Sequence, residues 1–452
     1  MRSRSVREDG VLAPGVASVS IGSAVLISLL ALEYIAVAAA MPTVAADLDG
    51  YDLYNLAFGA TVATSLVGTV LGGWWSDRSG PRAVVVAGAG AFAVGLLVAG
   101  FAGDFRVFCV GRAIQGLGSG LANVALYVVI AQLVPDRIRP RVFSLLAAAW
   151  VVPGLVGPLL TGLIVERLTW HWIFYGVTPF VLLAVLLMAP ALARTRPAGG
   201  ARTLPTSLLA WTVAAAAAVG ILNLVGARVS PTAWALGAGL LVVLVAAARH
   251  LLPGGTLRLG RGLPSVVATR GALGGSFIAA EAYLPLMLRD EHGYGPAQAG
   301  AILAVAAMTW TVGSTLQGRL GPTADRYRLI TAGAAWFTTL MVVLAAGVAL
   351  GGPGWFAVAC YGLAIAGVGL AYPTTTLVTM RLSTEAEVGR NSSALQLAEA
   401  LASAVGLAFS GVVFGTLYAT HQRAAFVGTL VVSCVVGALS VVAAVRARPA
   451  AA

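Results

Sequence analysis

Glu33, Arg112, Glu281 and Glu399 are formal charges set well inside long apolar stretches of this 452-residue sequence. On insertion scales a charge at the centre of a membrane helix costs roughly 2.5–3.5 kcal/mol, and charges kept there line a solute or proton path or pair with one another. A carboxylate in apolar surroundings takes up a proton more readily, and an adjacent guanidinium opposes this. The three Glu can thus bind and release protons or hold a cation, and the Arg can pair with a carboxylate. Residues for other chemistries are scattered. His171, His250, His292 and His421 lie between the stretches, and Cys109, Cys360 and Cys434 fall inside them without metal-ligand spacing. The sequence has no Gly-Lys-Ser/Thr phosphate loop. These absences speak against a membrane enzyme or an ATP-driven pump, and a sensor would be expected to carry a soluble output domain, which the apolar pattern does not suggest.

The elements that must position the four charges are membrane spans. Apolar residues make up 59% of the chain and charged ones 10%, against about 25% charged in a soluble protein. A span needs about 20 apolar residues. Fourteen such segments occur, at 17–41, 54–75, 83–103, 106–132, 142–165, 172–192, 206–226, 232–249, 267–288, 297–318, 328–350, 354–380, 391–418 and 424–445. They are numbered spans 1–14. The first apolar run is too long for a cleaved signal and reads as an uncleaved helix. The net charge of +11 is carried by Arg alone, dispersed among loops, which argues against nucleic-acid binding. Termini and even-to-odd loops hold 22 Arg, with Arg270 counted among them, and the opposite loops hold 5. That bias places both termini in the cytoplasm.

The chain repeats itself. VGTVLGGW (67–74) matches VGSTLQGR (312–319), and GRAIQGLGSG (111–120) matches GLAIAGVGLA (362–371). Arg141–Gly162 aligns without gaps on Arg390–Gly411. Offsets of 245, 251 and 249 pair spans 2, 4 and 5 with spans 10, 12 and 13. The expected fold is all-α and polytopic, with two parallel six-helix halves and two helices between them. The expected divisions are an N-terminal tail (1–16), a first half (17–192), a linker with spans 7 and 8 (193–265), a second half (266–446) and a C-terminal tail (447–452). In this alignment Leu363 stands opposite Arg112, and Leu407 opposite Pro158.

Three motifs follow in order. Between spans 2 and 3 lies GGWWSDRSGPR (72–82). Its Gly73 allows close helix approach, Asp77 can accept amide hydrogen bonds at a helix end, Arg78 and Arg82 supply positive charge, and Gly80 permits a tight turn. In span 4, Arg112, Gln115 and Ser119 share one face, while Gly116 and Gly120 form a small-residue pair. In span 5, Pro153 and Pro158 each remove a backbone donor, and Gly154, Gly157 and Gly162 make a smooth seam that suits tight packing or a hinge.

These elements, in this order, resemble the major facilitator superfamily over essentially the whole chain. GGWWSDRSGPR is similar to the signature loop between helices 2 and 3. The Arg112-x-x-Gln115-Gly-x-Gly run is similar to the proton-coupling motif of helix 4, and Gly157-Pro158 to the antiporter motif of helix 5. TWHWIFYGVTP (169–179), LEYIAVAAAMP (32–42) and the fourteen spans point to the fourteen-helix drug:proton antiporter branch. Pro81 stands where that loop usually has a basic residue, and Thr161-Gly162 where paired glycines are typical.

The resemblance implies a secondary transporter in the cell membrane with no cofactor, driven by a proton gradient and working by alternating access. Protons, a small-molecule substrate and the lipid bilayer are its expected partners, and a monomer is expected. Export of amphipathic or drug-like compounds is the leading reading. Export of an endogenous metabolite or lipid, or symport, are the alternatives. Glu33 and Arg112 lie about eight and six residues from the same membrane face, so at 1.5 Å per residue their depths differ by about 3 Å. Glu281 and Glu399 have no cation evident in the sequence and are candidate proton carriers. Ser392, Gln396, Glu399, Ser403 and Ser410 form a polar stripe in span 13. Glu33, Tyr34, Gln115, Asn123, Glu281, Tyr283 and Trp310 are the expected cavity residues, with Trp150 a further aromatic candidate.

Overall fold

The computed structural model describes residues 16–135, 138–197, 206–225, 231–320, 324–383 and 388–449. The N-terminal tail up to residue 15, the loop residue Arg202 and the last three residues lie outside the described set. Sixteen α-helices and two short 3₁₀ turns make up the described elements. Fourteen spans account for them, because spans 5 and 9 are each two helices. Eleven spans are long and apolar enough to cross a membrane, and two shorter apolar helices at Thr206–Leu222 and Leu236–Leu251 correspond to spans 7 and 8. Large apolar side chains face outward along the bundle, among them Leu186, Val242 and Val312. A surface of that kind suits hydrocarbon rather than water.

Both breaks follow from proline. Span 5 consists of Arg139–Ala148 and Val151–Arg167. Pro153 has no N–H for the carbonyl of Ala149, four residues earlier. The Ser28 hydroxyl on span 1 donates to that carbonyl instead, at 2.9 Å. Span 9 consists of Leu263–Glu281 and Leu284–His292. Pro285 likewise leaves the Glu281 carbonyl without an intrahelical donor, and this half-buried residue ends the first piece. Tyr54 on span 2 donates to the freed Ala282 carbonyl across the break, at 3.1 Å.

Small residues bring the helices together and set the register of the repeat. A Cβ on Gly68 would lie 2.3 Å from the Leu117 carbonyl oxygen, and one on Gly313 would lie 2.1 Å from that of Ala366. Gly88 packs against Gly118 and Ala122, as Gly333 does against Gly367 and Ala371. Thr64 donates to the Ala113 carbonyl at 2.7 Å, and Thr309 to that of Gly362 at 2.5 Å. Each comparison relates spans 2 and 3 to spans 10 and 11 by 245 residues, and span 4 to span 12 by 249. The alignment offset of 251 for span 4 is therefore corrected by two residues. Two residues turn a helix by roughly 200°, so the correction moves the partner to the other face. The counterpart of Arg112 is Tyr361, not Leu363.

Spans 7 and 8 lie over the seam between spans 2 and 13. One apolar cluster combines Ala63 and Leu66 of span 2, Val219 and Leu222 of span 7, Leu240 and Leu244 of span 8, and Leu401 and Ala408 of span 13.

Candidate functional site

Glu33 and Arg112 meet. Span 1 carries Glu33 and span 4 carries Arg112, whose Nη1 donates to Glu33 Oε1. Their side chains are 3% and 1% exposed, so the pair is sealed from any solute space in this conformation. Arg112 Nη1 also donates to Gln115 Oε1 at 2.5 Å, and its Nε to the Ala57 carbonyl at 3.3 Å. The guanidinium is thus held by two spans besides its own. Ser119 turns back to the Gly116 carbonyl, at 2.9 Å.

Glu281 has a different partner. Tyr361 on span 12, itself fully buried, donates its hydroxyl to Glu281 Oε2 at 2.8 Å. Glu281 is half-buried at the break of span 9. Residues 33 and 281 are 248 apart and residues 112 and 361 are 249 apart. The two contacts therefore occupy matching places in the two halves, with a guanidinium in one and a phenol in the other.

Glu399 is not without a cation, which corrects the sequence reading. Arg270, counted there with loop residues, lies well inside the helix Leu263–Glu281. Its Nε donates to Glu399 Oε2 at 2.7 Å, its Nη1 to the Tyr372 carbonyl at 3.3 Å, and its guanidinium lies 3.7 Å from the Tyr372 ring centroid. Arg270 is 16% exposed and Glu399 24%, so this pair is only partly withdrawn from the interior space. Of the polar stripe, Ser403 and Ser410 are buried and Gln396 is exposed. The Ser392 side chain lies outside the described set.

The Tyr372 hydroxyl and the Glu399 side chain both lie against Gly274. Trp310, Phe277 and Tyr372 form a mutually packed triangle with centroids 5.1–5.9 Å apart. Tyr34 makes an edge contact with Trp150 at 6.5 Å and stands within electrostatic reach of Glu281, Glu399, Arg112 and Glu33. Asn123 on span 4 is half-buried. Tyr283 is placed elsewhere: it is buried in an aromatic plug with Tyr54, Phe414 and Tyr418, centroids 4.4–5.5 Å apart. The plug joins the halves at the end opposite the arginine-rich one. Arg289 adds a hydrogen bond to the Pro42 carbonyl, and Tyr418 one to Asp290 at 2.5 Å.

The span 5 seam lies at the boundary of the halves. Gly154 packs on Ala307 and Gly162 on Ala297, Pro158 meets Gly300, and Gly157 meets Leu32 and Ile35. Pro153 is buried beside the seam. In the span 2–3 loop, Asp77, Arg78 and Arg82 are exposed. Asp77 caps neither helix; the turn is made by Gly80, with φ +85°, and Pro81 begins span 3. Gly80 abuts the backbone of Arg196 and Pro197, Arg78 lies over Trp74, and a Cβ on Gly73 would meet Val124.

Two helical halves closing around buried charges define a polytopic carrier. The Major Facilitator Superfamily profile matches residues 21–407, and the chain belongs to that superfamily of secondary transporters. A probable multidrug-efflux transporter of Mycobacterium tuberculosis is 27% identical over 98% of this chain and 95% of its own length. The multidrug efflux pump SdrM of Staphylococcus aureus is 29% identical over 35% of each chain. Among solved structures, a peptide transporter in complex with sulfate superposes with TM-score 0.68 at 16% identity, covering 94% of both chains. A D-xylose–proton symporter gives 0.66 at 17% identity, covering 95% of this chain and 96% of the other. At these identities the structural likeness concerns the fold alone.

Proposed function

We propose that this carrier exports amphipathic, drug-like molecules, with a preference for aromatic cations, in exchange for protons. The observation that carries the reading is half-buried Glu281, held by the Tyr361 phenol, and half-buried Glu399, whose partner Arg270 lies on the ring of Tyr372 in the triangle with Phe277 and Trp310. A cation gains from the Glu281 carboxylate, which has no cationic partner among the described residues, and from ring faces, the latter contributing about 2 kcal/mol when desolvated. Relatives named as multidrug-efflux proteins support the direction. In this reading Glu33, Arg112, Glu281 and Glu399 form the charge-coupling set. The span 2–3 loop and the Pro153–Gly162 seam govern the change of access. The arginine-rich end, with both termini, faces the cytoplasm. The aromatic plug then closes the outer side.

The test is a proteoliposome assay with an imposed pH gradient and a panel of aromatic cations, neutral analogues and anions. Gradient-driven movement of the cations against their concentration difference is expected. A panel in which no member moves in response to the gradient would sink the reading.

A further inference from the structure

The repeat places a carboxylate at the same point of each half and gives each a chemically different partner. Arg112 has only donors and stays charged. It can hold Glu33 as an anion, but it has no acceptor for the O–H of a protonated acid. A phenol both donates and accepts. Tyr361 can donate to ionised Glu281, and it can accept from the protonated acid once its own hydroxyl hydrogen turns away. We infer that Tyr361 is the positioning residue that makes Glu281 the site where the transported proton resides.

The surroundings support this division. Among the described residues, Tyr361 of span 12 hydrogen-bonds Glu281, and Tyr34 of span 1 lies within its electrostatic reach. Span 2 contributes Tyr54, whose hydroxyl is committed to the Ala282 carbonyl. Span 14 presents Phe426 and Thr429 to the neighbouring Ala280 and Tyr283. The cations nearby are spoken for, Arg112 by Glu33 and Arg270 by Glu399. No cation stands against Glu281 among the described residues. Glu281 is also the less enclosed carboxylate, half-buried where Glu33 is 3% exposed, so a water-borne proton can reach it. In the step itself a proton passes from cavity water to a Glu281 oxygen. Tyr361 keeps its own proton throughout, and no bond between heavy atoms changes. The inference rests on the proton-coupled reading above.

The experiment uses the full-length carrier in proteoliposomes, with ethidium as the probe. Wild type, Tyr361→Phe, Tyr361→Arg and Glu281→Gln are compared in gradient-driven uptake and in gradient-free counterflow, with melting temperature as the folding control. Tyr361→Arg and Glu281→Gln are expected to lose the pH-gradient response while counterflow persists. Tyr361→Phe is expected to weaken that response by roughly ten- to a hundredfold, the range that a hydrogen bond to a charged group is worth. Infrared difference spectra on acidification give a second readout: a protonated-carboxyl band in wild type, absent in Glu281→Gln. A wild type indifferent to the gradient overturns the coupled reading and this inference together. A responsive wild type matched by an equally responsive Tyr361→Phe or Tyr361→Arg overturns the inference alone, as does a carboxyl band that survives in Glu281→Gln.

Discussion

Glu33 and Arg112, 79 positions apart in sequence, form an ion pair shut off from solvent, and Gln115 braces the arginine from one turn away. Removing one member of such a pair strands a charge and costs about 3–5 kcal/mol. Arg112→Ala should therefore lower stability sharply, and Glu33→Gln should do the same to a lesser degree. The double variant should be less destabilised than the sum of the singles. Thermal or denaturant unfolding in detergent reads the cycle, and strict additivity would reject the pairing.

Ser28 substitutes for the amide that Pro153 lacks. Ser28→Ala should leave the Ala149 carbonyl unpaired and cost about 1–3 kcal/mol. Adding Pro153→Ala should recover part of that loss, because an amide at 153 can reach the same oxygen. A double variant no more stable than Ser28→Ala would show that the carbonyl finds another donor.

Asp77 is exposed and caps neither neighbouring helix. A loop residue free in this conformation and engaged in another would affect rates more than affinity. Asp77→Asn should slow transport in liposomes while leaving solute affinity in detergent within about twofold. An affinity loss as large as the rate loss would exclude a gating role.

Reporter fusions after Arg202 and after Arg390 should both report the cytoplasm. An external signal at either position would contradict the arginine count of 22 against 5.

Asp325 caps the helix Arg326–Ala349. The Arg328 amide, with the Arg448 side chain beside it, holds its carboxyl below the usual carboxylate range. A group with a depressed folded value stabilises above its unfolded value and loses that contribution as pH falls through the folded one. Asp325→Asn keeps an N-cap acceptor but removes the titration. Its melting temperature should fall less on acidification below pH 4 than that of wild type. Parallel pH curves would assign the acid sensitivity elsewhere.

The spans, the repeat and the Glu33–Arg112 meeting are legible in the sequence because depth follows from a fixed rise per residue. Arg270 is not, since an arginine in the second turn of a span is indistinguishable by hydropathy from one in a loop. Its partnership with Glu399 depends on a helix 129 positions away. Tyr361 is hidden for another reason. Ala- and Gly-rich helices align almost as well two residues out of step, and only the glycine contacts with neighbouring backbones fix the step. Pro153 and Pro285 mark the two broken spans, but a proline in sequence does not say whether a helix bends or stops. Pro373 lies inside an unbroken helix.

Spans 7 and 8 strap the two halves together along one flank, through side chains of spans 2 and 13. Parting those two spans would carry the strap along or bare Leu66 and Leu401 to whatever fills the gap. On the opposite flank span 5 meets span 10 through glycine and alanine. A separation of the halves that hinged on the strapped flank would part span 5 from span 10 first.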